Sequence, residues 1–273
     1  MLVSIYFKPS KLIDLTKCIG CRACQVACKR WNMRPGEETS LSSDWTNPPM
    51  LSHKTWTHVK FKLMYDQNND EYKWVFTKWQ CMQCNDPPCL PVCPTKAIYK
   101  REDGIVHIHS ERCIGCKYCV TACPYRARFY GYDEYHGIKS VYKCHFCMNR
   151  LDAGLEKPAC VQACPTQALE FGERNEMIEK AGARAEAIGG YVFGDEEDIG
   201  NSVIYVSKVP FEELGFPTRE MRVPAPLAMG KLLTQRGGIA IFGAGALAFL
   251  GFVLWRKERI SRAKMREISK SKE

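Results

Sequence analysis

Hydrophobic positions along the chain fall into short alternating runs, one helical face and one long uncharged stretch. Trp56–Phe61 and Tyr72–Phe76 read as short strands. Ala97-Ile98-Tyr99 and Ile105-Val106-His107-Ile108 flank Asp103-Gly104, the pattern of a hairpin. Between Glu173 and Ile188, the positions Met177, Ile178, Ala181, Ala185 and Ile188 line one face of an amphipathic helix. Val203–Val209 reads as a further strand. Pro210, Pro217, Pro224 and Pro226 then interrupt a stretch expected to be a linker without regular structure. It leads to Gly237–Trp255, nineteen residues without a charge. At ~1.5 Å per residue, such a helix nearly matches a hydrocarbon layer of about 30 Å. A buried core helix is the alternative, but Arg236 and Arg256-Lys257 bracket the run and a charged tail follows. One transmembrane helix is the expectation.

Charge sharpens that picture. The 273 residues carry a net charge of +9. Arg256 to Glu273 holds eight Lys/Arg against three Glu, which supplies +5 of it. Nucleic-acid binding needs a basic stripe on a folded face, and this excess sits in a tail. No nucleic-acid partner is expected. The stretch Arg219–Arg236 carries four Lys/Arg against the tail's eight. The excess of basic residues puts the tail in the cytoplasm and the rest of the chain across the membrane. Met1–Lys11 has a short apolar run and no small-residue cleavage site, so no secretory signal is expected there.

The sixteen cysteines carry the chemistry, and all lie between Cys18 and Cys164. The first motif is Cys18-x2-Cys21-x2-Cys24-x3-Cys28, and the third repeats it as Cys113-x2-Cys116-x2-Cys119-x3-Cys123. The second is Cys81-x2-Cys84-x4-Cys89-x3-Cys93, and the fourth is Cys144-x2-Cys147-x12-Cys160-x3-Cys164. Three thiolates stepped along a tight loop suit three irons of one cubane, and the fourth thiolate reaches a neighbouring one. A helix opening at that fourth cysteine is expected, with Pro94, Pro124 and Pro165 at its start and Lys29 as the departure. Zinc favours separated cysteine pairs, and disulfides need directions that such crowded cysteines lack. Four [4Fe-4S] clusters are expected.

Only Pro94 to Arg112 separates the second motif from the third, a compact linkage that pairs those two and leaves the first with the fourth. Exchange of the last cysteine then gives four ligand sets. They are Cys18, Cys21, Cys24 with Cys164; Cys144, Cys147, Cys160 with Cys28; Cys81, Cys84, Cys89 with Cys123; and Cys113, Cys116, Cys119 with Cys93. The nesting puts four clusters in a row. Ile19, Val26, Leu90, Ile114, Val120, Val161 and Leu169 are expected to keep water from them. Arg22 and Lys117 either raise cluster potentials or simply face solvent, and the second reading is favoured.

No Cys-x-x-Cys-His, Walker loop or dinucleotide fingerprint is present, and all six histidines lie outside Gly237–Trp255. Catalytic residues are not expected in this chain. His107 and His109 read as hairpin surface. Ala240, Ala244 and Ala248, with Gly243 and Gly251 beside them, offer a small-residue face to another membrane helix, unless their spacing is accidental.

The order of motifs resembles the four-cluster iron–sulfur subunits of molybdopterin oxidoreductases, and more narrowly the beta subunit of membrane-bound respiratory formate dehydrogenase. The matching stretches are Thr16-Lys-Cys-Ile-Gly-Cys-Arg-Ala-Cys-Gln-Val-Ala-Cys28, Leu51-Ser-His-Lys-Thr-Trp56 and Gln80-Cys-Met-Gln-Cys-Asn-Asp-Pro-Pro-Cys89. Gly104-Ile-Val106, Tyr142-Lys-Cys144, Pro158-Ala-Cys-Val-Gln-Ala-Cys-Pro-Thr166 and Phe171-Gly-Glu-Arg-Asn-Glu-Met177 continue the likeness.

The resemblance implies a complex on the outer face of the inner membrane. A molybdenum or tungsten bis-pterin subunit would oxidise formate, and this chain would pass electrons to a membrane cytochrome b and quinone. The alternatives are the iron–sulfur subunit of a membrane [NiFe] hydrogenase, a polysulfide-type or nitrite-type quinone-linked subunit, or a free membrane-tethered ferredoxin. The expected architecture is α+β, with tandem ferredoxin-like units over 1–172 and a cysteine-free insert at 29–80. An extension and Pro-rich linker follow at 173–236, then the transmembrane helix at 237–255 and a cytoplasmic tail at 256–273.

Overall fold

The strand that frames the fold carries a lysine in its buried face. The computed structural model of the chain describes residues 7–41, 45–66, 70–195, 200–217 and 247–259. In chain order the first elements are β1 (Pro9–Asp14), α1 (Ala23–Trp31), β2 (Thr57–Asp66), β3 (Glu71–Gln80), β4 (Ile98–Lys100) and β5 (Val106–Ile108). Next come α2 (Tyr118–Thr121), β6 (Phe129–Asp133), β7 (Ile138–Tyr142), α3 (Met148–Asp152) and α4 (Ala159–Gln162). The last are β8 (Leu169–Glu173), α5 (Arg174–Ile188), β9 (Tyr191–Phe193) and β10 (Val203–Ser207). The α+β mixture matches the expected class.

One four-stranded sheet has the order β8-β1-β10-β9, with β1 parallel to β10 and both outer pairings antiparallel. Alternation divides its two central strands. Leu12, Ile204 and Val206 face α5 and pack on Met177, Ala181 and Ala185. Ile13, Val203 and Tyr205 face the cysteine loops and join the largest core cluster. The sheet therefore separates a helix from the cysteine loops.

Helix α5 starts where expected. The Glu173 carboxylate accepts from the backbone N–H of Asn175 at 2.7 Å, and Gly189 ends the helix in the left-handed region at φ 61°. Across the boundary expected at residue 172, β9 and β10 complete the sheet beside β1, and α5 packs on it. The first part of the expected linker is also core: Phe211, Leu214 and Phe216 are buried against Trp79, Phe193 and Tyr205. Residues from Met1 to Pro224 form one compact unit and Ala225–Glu273 a second.

Three hairpins surround the sheet. In β2–β3, Thr57 pairs with Gln80 and Asp66 with Glu71, so both strands run longer than Trp56–Phe61 and Tyr72–Phe76 suggested. The expected hairpin forms as β4–β5, with Ile98 opposite Ile108, and β6–β7 pairs Phe129 with Tyr142. In the second unit, residues 247–259 are helical and exposed. Among the described residues no helix is long and apolar enough to cross a membrane, and positions 237–246 of the expected span lie outside them.

The α5 packing predicts opposite outcomes at adjacent positions. Ala181 is fully buried, so Ala181→Leu overpacks the sheet and costs about 1–3 kcal/mol. At Gly182 a Cβ would meet nothing within 4 Å, so Gly182→Ala adds about 0.5–1 kcal/mol. Thermal melting of the two variants should move in opposite directions; equal shifts would contradict this packing.

Candidate metal centres

Each cysteine motif contains a left-handed turn. Gly20 and Arg22 have φ of 68° and 61° in the first motif, and Gly115 and Lys117 have 71° and 61° in the third. Gln83 supplies the turn of the second motif at 51°, and Phe146 and Cys147 supply that of the fourth at 58° and 54°. Glycine is required at two of these points. A Cβ on Gly20 would lie 2.8 Å from Phe76, and one on Gly115 would lie 2.8 Å from Tyr130. Hairpins β2–β3 and β6–β7 thus cover the two Cys-Ile-Gly-Cys loops in the same manner.

The helices differ from expectation. None opens at the fourth cysteine of a motif: α1, α2 and α4 begin just before Cys24, Cys119 and Cys160. Helices α2 and α4 end before Cys123-Pro124 and Cys164-Pro165, whereas α1 runs through Cys28 to Trp31. Proline lacks an N–H and restricts the residue before it, so it stops these helices rather than starting them. Lys29, in the equivalent place, lets α1 continue, and its Nζ donates to the carbonyls of Pro35 and Lys54 at 2.9 and 3.2 Å.

Four groups of thiols result. Cys18, Cys21, Cys24 and Cys164 line one cavity. Cys81, Cys84, Cys89 and Cys123 line a second, and Cys93, Cys113, Cys116 and Cys119 line a third. Cys28 lies among Cys144, Cys147 and Cys160, whose negative charge raises its pKa beyond the effect of burial. In the order first, second, third, fourth, these sets are the Cys18 set, the Cys144 set, the Cys81 set and the Cys113 set. The first and second meet where Cys160 acts on Cys24, and the third and fourth where Cys89 acts on Cys119. Burial pushes the Tyr205 hydroxyl up, and the charges of Cys144 and Cys160 in the second set and Cys81 in the third add to it.

The donor set suits an iron–sulfur cluster. It is thiol throughout, and each cavity holds four thiols around its wall. Burial pushes the Cys24 thiol up to about 12 and those of Cys119, Cys123 and Cys147 up to about 11. Iron loading must therefore release protons from these groups.

Buried cations meet the thiols. Lys11, Lys78, Arg128 and Lys143 are 0, 1, 2 and 4 % exposed. Lys11 Nζ donates to Cys160 Sγ at 3.4 Å, and Arg128 Nη2 donates to Cys89 Sγ at 2.6 Å. Burial opposes the charge of Lys11, but Cys160, Cys144, Cys147 and Cys28 outweigh it and raise its pKa. Burial likewise pushes Cys160 up, yet Lys11 and Lys78 bring it below its ordinary value. Among the described residues, none of the four cations reaches a carboxylate within ion-pair distance. An uncompensated buried charge is costly, so an anionic cluster at each thiol group fits these surroundings.

Sequence reasoning missed these cations. The cations it weighed lie elsewhere: Lys117 is exposed over Tyr130, and half-buried Arg22 lies over Phe61 and donates to the Trp45 carbonyl. The expected apolar screen holds only in part. Val161 and Leu169 are buried and Leu90 and Val120 half-buried, but Ile19 and Ile114 in the Cys-Ile-Gly-Cys loops and Val26 on α1 are exposed. His107 is half-buried rather than surface, in edge contact with His145, while His109 stacks on Tyr99.

Burial, then Lys143, holds His107 down to about 4; burial, then His107 and Lys143, holds His145 down to about 3. Both pKa values lie below that of an unfolded histidine. Their stabilising effect is therefore present above pH ~6.5 and lost as pH falls toward 4 and 3. His145→Gln should reduce the loss of melting temperature between pH 7 and 5, by up to about 1 kcal/mol per pH unit. An unchanged acid slope in the variant would contradict this assignment.

The comparisons agree with the geometry. The sequence matches the 4Fe-4S dicluster domain family twice, over residues 17–97 and 72–174. It is 41% identical over 204 residues to the nitrate-inducible formate dehydrogenase iron-sulfur subunit of Escherichia coli K12, covering 72% of this chain and 67% of that one. It is 41% identical over 170 residues to the formate dehydrogenase iron-sulfur subunit of Haemophilus influenzae, covering 62% and 52%. The hydrogenase-2 operon protein HybA of Escherichia coli O157:H7 is 32% identical over 239 residues, covering 76% and 72%. Thiol geometry and sequence likeness lead to one assignment: this chain belongs to the family of formate dehydrogenase iron–sulfur subunits, electron-transfer proteins built on tandem 4Fe-4S dicluster domains.

Proposed function

We propose that this chain carries four [4Fe-4S] clusters and relays electrons from a molybdenum- or tungsten-containing formate dehydrogenase catalytic subunit to a membrane cytochrome b and quinone. Its ligand sets are Cys18, Cys21, Cys24, Cys164; Cys144, Cys147, Cys160, Cys28; Cys81, Cys84, Cys89, Cys123; and Cys113, Cys116, Cys119, Cys93. The observation that carries this reading is how exposure is distributed over the thiol sets. Cys21 and Cys116, in the first and fourth sets, are exposed, while every cysteine of the second set is buried. Electrons can thus enter and leave at the ends with the middle shielded. A bound cluster supplies a one-electron couple. The thiolates hold it, the buried cations offset its charge, and the sheet fixes their relative positions.

The membrane part rests on Gly237–Trp255 and its basic flank. Within it, Leu247, Phe249, Leu250, Phe252 and Leu254 are exposed large apolar side chains, suited to lipid or a partner helix. The proposed orientation has the tail in the cytoplasm and the clusters in the periplasm. Protease added to inside-out vesicles should remove the tail and spare the cluster domain; the reverse pattern would reject that orientation.

The likeness to HybA over 239 residues favours one second reading, the iron–sulfur subunit of a hydrogenase. Donor choice separates the two. In the purified complex, formate should reduce the clusters and hydrogen should not; reduction by hydrogen alone would establish the second reading. The loaded chain should contain about sixteen irons and as many acid-labile sulfides. Cys123→Ser should impair the cluster held by Cys81, Cys84 and Cys89. Electron paramagnetic resonance showing loss of the Cys113 set's cluster alone would reject the exchange of ligands.

A further inference from the structure

We propose that three buried cations act as fixed charges, one between each pair of neighbouring thiol sets, and set the reduction potentials of the clusters on both sides. The inference rests on the four-cluster reading above. Lys78 lines the cavity of the first set and acts on Cys28 and Cys160 of the second. Lys143 donates to the carbonyl of Cys144, in the second set, at 2.9 Å, and also to the carbonyl of Val106. Val106 lines the cavity of the third set, and Cys81 and Cys89 of that set act on Lys143. Arg128 donates to Cys89 in the third set at 2.6 Å, and its charge reaches Cys119 in the fourth. Each of the three cations thus acts on two neighbouring sets.

The physical consequence follows from sign and position. Reduction adds a negative charge to a cluster, and a cation nearby favours the reduced form. A cation between two clusters acts on both and lessens the repulsion between electrons on neighbouring sites. Buried away from water, it is little screened by salt. Arg128 has the further mark of a group aimed at something other than protein: its buried Nη1 has no hydrogen-bond partner among the described residues. Lys11 provides an internal contrast. The thiols that act on it, Cys160, Cys144, Cys147 and Cys28, all belong to the second set.

The test is a redox titration of the full complex, followed cluster by cluster by electron paramagnetic resonance. Lys78→Met should lower the potentials of the first and second clusters, Lys143→Met those of the second and third, and Arg128→Met those of the third and fourth. The expected size is about tenfold in each reduction equilibrium, or about 59 mV for one electron. Lys11→Met should lower the second alone. The charge-preserving variants Arg128→Lys and Lys78→Arg should keep the potentials near their original values. They also decide the matter where a methionine variant fails to load iron, because a loss as large as that expected of the methionine variant would overturn the proposal. Unchanged potentials, a fall at one neighbour only, or an equal fall at all four would overturn it too. Iron and sulfide analysis separates the two levels: few clusters per chain defeats the four-cluster reading, whereas full loading with indifferent potentials defeats only this inference.

Discussion

Charge compensation in the interior is the constraint on which this fold depends. Among the thiols, most of them buried, the core buries Lys11, Lys78, Arg128 and Lys143, and among the described residues no carboxylate lies within ion-pair distance of these four. Neither set of groups is comfortable alone. A buried ammonium sheds its proton or demands a partner, and a buried thiol resists ionisation. Brought together, each stabilises the charged form of the other, as the raised Lys11 and lowered Cys160 show. An iron–sulfur cluster completes this exchange, because it requires thiolates and leaves a net negative charge. The fold and the cofactor therefore specify each other.

The sheet converts that chemistry into a path. Alternation along β1 sends Lys11 toward the thiols and Leu12 toward α5, so one strand serves both the electron route and the helical layer. Two repeated loops, opened by Gly20 and Gly115 and covered by Phe76 and Tyr130, each carry an exposed cysteine, Cys21 or Cys116. The middle sets sit under the sheet and the hairpins. Under the proposed reading, exposed Cys21 and Cys116 with a buried Cys144 set between them suit a relay.

Much of this was legible in the sequence. Cysteine spacing and the short Pro94–Arg112 linkage group the thiols as the three cavities do, for twelve of the sixteen. Helix α5 and the β4–β5 hairpin followed from periodicity and the Asp103-Gly104 turn. What escaped depended on tertiary surroundings. Strand β1 was missed because Lys11 in Pro9–Asp14 reads as solvent-facing, and only the thiols across the sheet make its burial tolerable. The same reason hid Lys78, Lys143 and Arg128, although each stands within four residues of a cysteine or of the proline that follows one. The role of Pro124 and Pro165 was inverted, since proline suits a helix start and a helix stop alike, and only the backbone tells which. Phe211 and Phe216 looked like linker because prolines flank them, yet they close the aromatic core.

The central claim is that clusters and buried cations hold this core together as one unit. Hydrogen–deuterium exchange on the full chain, with iron bound and after its anaerobic removal by a chelator, tests this most directly. The account predicts that removal abolishes amide protection in β1, α1 and α4 together, where Lys11 and the thiols of the second set meet. Protection that survives there unchanged without iron would contradict it.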